Sequence, residues 1–237
     1  MGIDVNDKIV TFNASHEHRV VTDTARRCPT AQAGGVSVVS IFARKRTRQD
    51  SDDGNPLIYA LKGKFGYTIP MGDLKEIYRR AALILPKALD GKNFDIVVPL
   101  PSSSSVASIL GTRIVRTRAN VGIADCLAKA TIRDVLAGLP LPDEVPQRDR
   151  REYTSLLSTL QGLNPGSAIE MKRIPFKFRL YLTPVVAQPT AEACRGKSVL
   201  LVDDIFGTGS SLQSAAIALS AYEPLSVTAV TLMGRLS

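Results

Sequence analysis

Residues 199–212 read VLLVDDIFGTGSSL, and few folds can use such a segment. The apolar run from Val199 to Val202 predicts an interior strand. Asp203 and Asp204 follow at its carboxyl end, where ligands bind in open α/β sheets. Adjacent strand residues point to opposite faces, so two acids facing solvent predict that the strand ends there. Side by side, two anions cost energy unless they meet hydroxyls, a metal or a cation. The glycines that follow let the backbone curl so that successive N–H groups point inward as an anion nest. Thr208, Ser210 and Ser211 add hydroxyl donors. A helix then begins, and its N-terminal N–H groups favour a phosphate. One loop thus offers a pair of acids suited to a polyol and a cradle suited to a phosphate, the two features of a ribose 5-phosphate.

The same segment sets the fold class. A strand over 198–204, a loop over 205–211, a helix over 212–222 and a strand over 226–233 make a parallel crossover. Upstream, 94–100 (FDIVVPL) predicts a buried strand stopped by Pro99 and Pro101. Helical spacing of Leu74, Ile77, Ala81, Leu85 and Ala88 predicts a helix over 73–89, with Gly72 or Asp73 near its N-cap. Further helices are expected over 105–115, 120–138 and 153–160, and strands over 8–13, 36–44 and 180–186. The predicted class is α/β: a mainly parallel central sheet flanked by helices, with a small N-terminal hood element. Residues 1–70 are expected to form the N-terminal strands and hood, and 71–237 the core. A long basic insertion, rich in proline, is expected around 139–190. The basic run 44–48 (RKRTR) and the acidic run 49–55 (QDSDDGN) predict a strand ending in an exposed loop.

Composition narrows the partners. The net charge of +8 favours polyanions, either nucleic acid or small phosphorylated substrates. Tryptophan is absent and aromatics make up 5% of the chain, which gives base stacking on single strands little to work with. Cys28, Cys126 and Cys194 are odd in number and widely spaced, so neither a disulfide framework nor a structural zinc site is expected. Reduced thiols, no signal peptide and no apolar run near the ~20 residues of a membrane span predict a cytoplasmic protein without a membrane partner. His16 and His18 stand two apart, on one face if the segment is extended. Two imidazoles alone are weak evidence for a metal.

The 199–212 stretch resembles the 5-phosphoribosyl-1-pyrophosphate (PRPP) signature of the type I phosphoribosyltransferases, an apolar strand followed by D-D-x-x-x-T-G-x-[TS]-L. The resemblance implies that Asp203 and Asp204 hold the ribose 2- and 3-hydroxyls, directly or through Mg2+, as the catalytic acids. It implies that Gly207, Thr208, Gly209, Ser210 and Ser211 bind the 5-phosphate, Gly207 standing where threonine is most common. It also implies a pyrophosphate loop after the earlier strand, at Pro101, Ser102, Ser103 and Ser104. Within the superfamily the chain resembles the ComF-like, amidophosphoribosyltransferase-related branch through 60–67 (ALKGKFGY), 98–101 (VPLP) and 116–120 (RTRAN). It lacks the four-cysteine module frequent at the N-terminus of that branch.

The activity so implied is that of a transferase in nucleotide metabolism. It would move the phosphoribosyl group from PRPP to a purine, pyrimidine or other nitrogenous acceptor and release pyrophosphate, with Mg2+ as cofactor, in a homo-oligomer. A basic lid is expected from Arg148, Arg150 and Arg151, with Lys172 and Arg173 as further candidates, and Lys62 and Lys64 could meet pyrophosphate. The alternative is a regulatory or nucleic-acid-associated protein with little transferase activity, as in DNA uptake or a mobile-element or defence effector.

Overall fold

The structure, a computed structural model, describes residues 1–45, 55–170 and 173–235. The chain opens on a hairpin, β1 (Gly2–Asn6) and β2 (Ile9–Asn13), turned through Asp7 and Lys8 at positive φ. Two short strands, β3 (Val20–Val21) and β4 (Thr30–Ala33), precede β5 (Val36–Arg44) and lie antiparallel to it. Next come α1 (Pro56–Leu61), α2 (Met71–Ala88), β6 (Ile96–Pro99), α3 (Val106–Arg116) and β7 (Gly122–Ile123). Then follow β8 (Leu127–Lys129), α4 (Ile132–Gly138), α5 (Arg150–Gln161) and β9 (Val185–Ala187). The chain closes on β10 (Ser198–Ile205), α6 (Ser210–Ser220) and β11 (Ser226–Arg235).

Among the described residues, seven strands form the central sheet. Its order is β3-β5-β11-β10-β6-β7, with β4 also against β5. β5, β11, β10, β6 and β7 run parallel. The fold is therefore the expected α/β class with a mostly parallel sheet flanked by helices. The apolar run in β10 exists because both faces are covered. Leu200 and Val202 enter the cluster that holds Ile77, Ile84 and Leu85 of α2 and Leu110 and Ile114 of α3. Val199 and Leu201 enter the opposite cluster, with Leu212, Ala215 and Leu219 of α6. All four are essentially inaccessible. Burial on this scale stabilises by about 1.5–3 kcal/mol per aliphatic side chain. Cys126 and Cys194 fill that second cluster, Sγ to Sγ 3.9 Å.

Several expected boundaries move. The helix expected over 73–89 starts at Met71, directly after Pro70, whose fixed φ suits a helix entry. Asp73 does not cap it, because its carboxylate accepts from the Phe12 N–H at 2.9 Å and fastens the hairpin. The single helix expected over 120–138 is instead an edge strand, β7, then β8 and α4. Asn120 breaks the run at φ 63, and Thr131 and Asp134 form a capping box that starts α4 at Ile132. The strand expected over 180–186 opens instead on the end of the 3-10 turn Phe176–Tyr181 and an irregular stretch over 182–184. β9 begins only after Pro184, which has no N–H to give a ladder.

Part of the segment before residue 70 joins the central sheet. β5 pairs with β11 from Ser37↔Thr228 to Arg44↔Arg235, inside the sheet. The basic segment has a core of its own. Ala130, Ile132, Val135, Tyr153, Leu156, Leu160, Phe178 and Leu182 bury a cluster of their own. Tyr153 completes it by donating its hydroxyl to the Pro140 carbonyl at 2.8 Å. The expected loop after 44 and the acidic run before Asn55 fall mostly outside the described residues, as does Lys172.

Candidate active site

The chain leaves β6 through α3 toward β7 on one side, and leaves β10 through α6 toward β11 on the other. Strand order reverses between β6 and β10, and a crevice opens at such a switch point. β6 stops pairing with β10 at Val202↔Pro99, whereas β11 continues to Ile205↔Met233. Beyond Val202 one side of β10 has no neighbouring strand, and Asp203 and Asp204 stand in that gap. β10 runs one residue past the expected end, to Ile205, and both acids lie in its last stretch of pairing with β11.

A cleft of about 470 Å³ fills the gap. Its floor is Asp203–Leu212, and Leu100–Ser103 make one wall. Lys62 and Lys64 enter from the turn after α1, Lys129 from β8, and Ile169, Glu170 and Arg179 from the folded basic segment. Thr208, Gly209, Ser210 and Ser211 form the curl. Gly209 is at φ 81, and the Ser210 N–H donates to Thr208 Oγ1 at 3.3 Å. The Thr208 and Ser210 hydroxyls lie 3.0 Å apart. The first helical bond of α6 is Gln213 N–H to the Gly209 carbonyl, so Ser211 and Leu212 present N–H groups with no intrahelical acceptor. That is the donor set an anion requires.

The two acids differ. Asp204 is 3% exposed and its Oδ2 lies 2.5 Å from Lys62 Nζ. Ser102 Oγ also donates to it at 3.3 Å, which ties the β6 loop to the β10 loop. The cation option among the partners expected for the acid pair is therefore realised at Asp204. Lys62 is delivered by α1, which starts on an Asn55 side chain accepting from Leu57 N–H at 2.9 Å, with Pro56 in the first turn. Gly63, Phe65 and Gly66 at positive φ then turn the chain sharply.

Among the described residues, Asp203 has no such cation in salt-bridge contact. Burial first, then the charge of Asp204, push its carboxyl up to about 7, against smaller pulls from the Asp204 N–H at 2.8 Å and from Lys62. The sign of the linkage is definite. The unfolded carboxyl ionises near 3.8 and the folded one near 7, so between them the folded chain holds more protons. Stability therefore falls as pH rises through that window and levels above it. Melting temperatures from about pH 4 to about pH 8 should show this fall in the parent and a flatter profile in Asp203→Asn. Equal slopes in the two proteins would contradict it.

Of the residues singled out in the sequence, Asp203, Asp204, Gly207, Thr208, Gly209, Ser210, Ser211, Pro101, Ser102 and Ser103 all line this cleft. Ser104 stands behind, its N–H donating to Ser102 Oγ at 3.3 Å. Arg148, Arg150 and Arg151 do not line it. Arg148 is 88% exposed, Arg151 is exposed on α5, and Arg150 donates to the carbonyls of Val145 and Asp143. Arg173 pairs with Glu170 at 3.0 Å. The basic residues that do reach the cleft from this side, Lys129 of β8 and Arg179, gave no local signal. They are single charges in ordinary surroundings, and only the docking of β8 on β9 and the 3-10 turn aims them.

Residues 164–237 match the family model of the phosphoribosyl transferase domain. The match holds β9, β10, the glycine-hydroxyl curl, α6 and β11. No curated protein matches the chain. A phosphoribosyl transferase domain in general binds PRPP and transfers its phosphoribosyl group, and the fold agrees with the type I form of it. The matched residues stop short of Lys62, the β6 loop and Lys129, which are brought to the cleft by the remainder of the chain. No described helix is long and apolar enough to cross a membrane.

Proposed function

We infer that the chain is a phosphoribosyltransferase that takes PRPP in this cleft and passes its phosphoribosyl group to a nitrogenous acceptor, releasing pyrophosphate. The observation that carries the reading is the convergence on one crevice of an acid pair, an anion-binding curl and two lysines. In this reading the N–H groups and hydroxyls of Thr208–Ser211 grip the 5-phosphate. Asp203 accepts from the ribose hydroxyls, and Asp204 does so as Lys62 turns toward the diphosphate. Ser102, Ser103 and Lys64 hold the leaving group. The acceptor nitrogen attacks the anomeric carbon as its bond to the diphosphate oxygen breaks. Cations aimed at that oxygen act where charge develops.

Mg2+ fits this donor set. Asp203 is a partly buried carboxyl beside the charge of Asp204, without a contacting cation among the described residues, and it gains from one. Asp203 and Asp204 would hold the ion, directly or through PRPP. When bound, it would neutralise the diphosphate charge.

The basic surface also invites nucleic acid, and the cleft argues for the small substrate instead. Lys62, Lys64, Lys129 and Arg179 converge on a concavity, whereas Arg150 is engaged by backbone carbonyls elsewhere. The test is calorimetric binding of PRPP with Mg2+, followed by pyrophosphate release with a panel of purines, pyrimidines and other nitrogenous bases. Saturable binding and turnover with one acceptor class are expected. Failure to bind PRPP would overturn the reading of the site, and binding without turnover on any acceptor would overturn the transferase.

A further inference from the structure

Remote from the cleft in sequence, the hairpin carries a second chemical cluster. The sequence supplies two imidazoles, His16 and His18, at the i, i+2 spacing that puts side chains on one face of an extended segment. The structure supplies what the sequence could not, a third donor. The segment after β2 turns back along β1, where Ile3 N–H donates to the His18 carbonyl at 3.3 Å. This brings Asp4 of β1 to the edge of the His16 ring, with His16 Nε2 2.9 Å from Asp4 Oδ1. The rings stack with centroids 3.9 Å apart at 18°. One donor atom from each of Asp4, His16 and His18 lies within 4.8 Å of the others.

We propose that Asp4, His16 and His18 bind a divalent transition-metal ion, with water completing its coordination. Donors that each stand ~2.0–2.1 Å from a metal lie about 3 Å from one another, which is the spacing already present between His16 Nε2 and Asp4 Oδ1. The carboxylate is held in place, because Asn13 Nδ2 donates to Asp4 Oδ2 at 2.6 Å and leaves Oδ1 for the ion. Glu17, between the histidines, points elsewhere and pairs with Arg26 at 2.8 Å and Lys45 at 3.1 Å, so these cations are neutralised away from the site. His16 Nδ1 receives the His18 N–H at 3.2 Å. Ligation through Nε2 moves the ring proton to Nδ1 and gives up that long contact. Two imidazoles and one carboxylate suit Zn2+, Co2+, Ni2+ or Cu2+ over Mg2+ or Ca2+, which take all-oxygen sets. An ion here would fasten the turn at 13–18 to β1. The site is independent of the cleft and of the activity inferred for it.

The test is titration of the full chain, free of any histidine tag, with Co2+ followed by visible absorption and with Zn2+ followed by calorimetry. One equivalent should bind, with Mg2+ failing to compete. His16→Ala and His18→Ala should each weaken binding roughly tenfold or more, as should Asp4→Asn, while Ser15→Ala should not. Melting of the metal-free variants should stay near that of the parent, which separates ligand loss from misfolding. Absence of saturable binding, or binding equally tight in both histidine variants, would overturn the proposal.

Discussion

Asp203→Asn combined with Asp204→Asn should reduce PRPP affinity by about 100-fold to 10,000-fold while leaving the chain folded. With Mg2+ favouring the ionised form of both, each acid is expected to accept a hydrogen bond from a ribose hydroxyl, and a bond to a charged group is worth about 1.5–3 kcal/mol. Two such losses give that range. The fold should survive because the two substitutions have opposite costs. Asp204→Asn removes the anion that Lys62 pairs with, and orphaning a buried partner is expensive. Lys62 is 15% exposed at the mouth of a cleft, however, so water reaches it. Asp203→Asn removes a carboxyl that burial and its neighbour already hold against ionisation, which relieves strain. Calorimetry with PRPP and, separately, with pyrophosphate distinguishes the parts of the site. Pyrophosphate should still bind, because Lys62, Lys64 and the Ser102–Ser103 wall remain. PRPP affinity within twofold of the parent would show that the acids do not hold the ribose.

Gly209→Ala should lower stability by about 2–5 kcal/mol and abolish binding of ribose 5-phosphate. Gly209 sits at φ 81, a left-handed conformation that costs a side-chain-bearing residue on the order of 1–2 kcal/mol. An added Cβ would lie 2.8 Å from Ala33 Cβ and 3.1 Å from the Phe206 ring, so β4 and the cleft loop must both give way, at about 1–3 kcal/mol more. Gly196→Ala provides the comparison. It has φ 62 but nothing within 4 Å of the new carbon, so it carries the backbone cost without the crowding and leaves ligand binding unchanged. Thermal melting and calorimetry of the two variants should therefore diverge. Equal losses of stability would mean that the curl tolerates displacement, and retained ribose 5-phosphate binding in Gly209→Ala would place the phosphate elsewhere.

Legibility followed locality. The run from Val199 to Leu212 could be read because strand, acids, glycines and helix start are consecutive, and each residue type has a local physical reason for its place. The helices over α2 and α3 were legible from spacing alone. The stretch after Asn120 was not, because its apolar residues suit either a helix or short strands, and the choice fell to partners far away, β6 for Gly122 and Ile123 and β9 for Leu127–Lys129. The basic segment misled for a related reason. Its prolines and charges look like an open loop, but Tyr153, Phe178 and Leu160 lie far apart in the chain and reveal a core only when they meet.

The sequence by itself determined a strand ending in an acid pair and a glycine-hydroxyl curl before a helix, since these depend on contacts within fourteen consecutive residues. Only the tertiary structure decided which charges surround that pair. It put Lys62 on Asp204, brought in Lys129 from β8 and Arg179 from the basic segment, left Arg148 and Arg151 outside, and set Asp4 beside two histidines. Charges act through space, and side chains reach only a few ångströms, so their partners are fixed by which segments the packed core brings together.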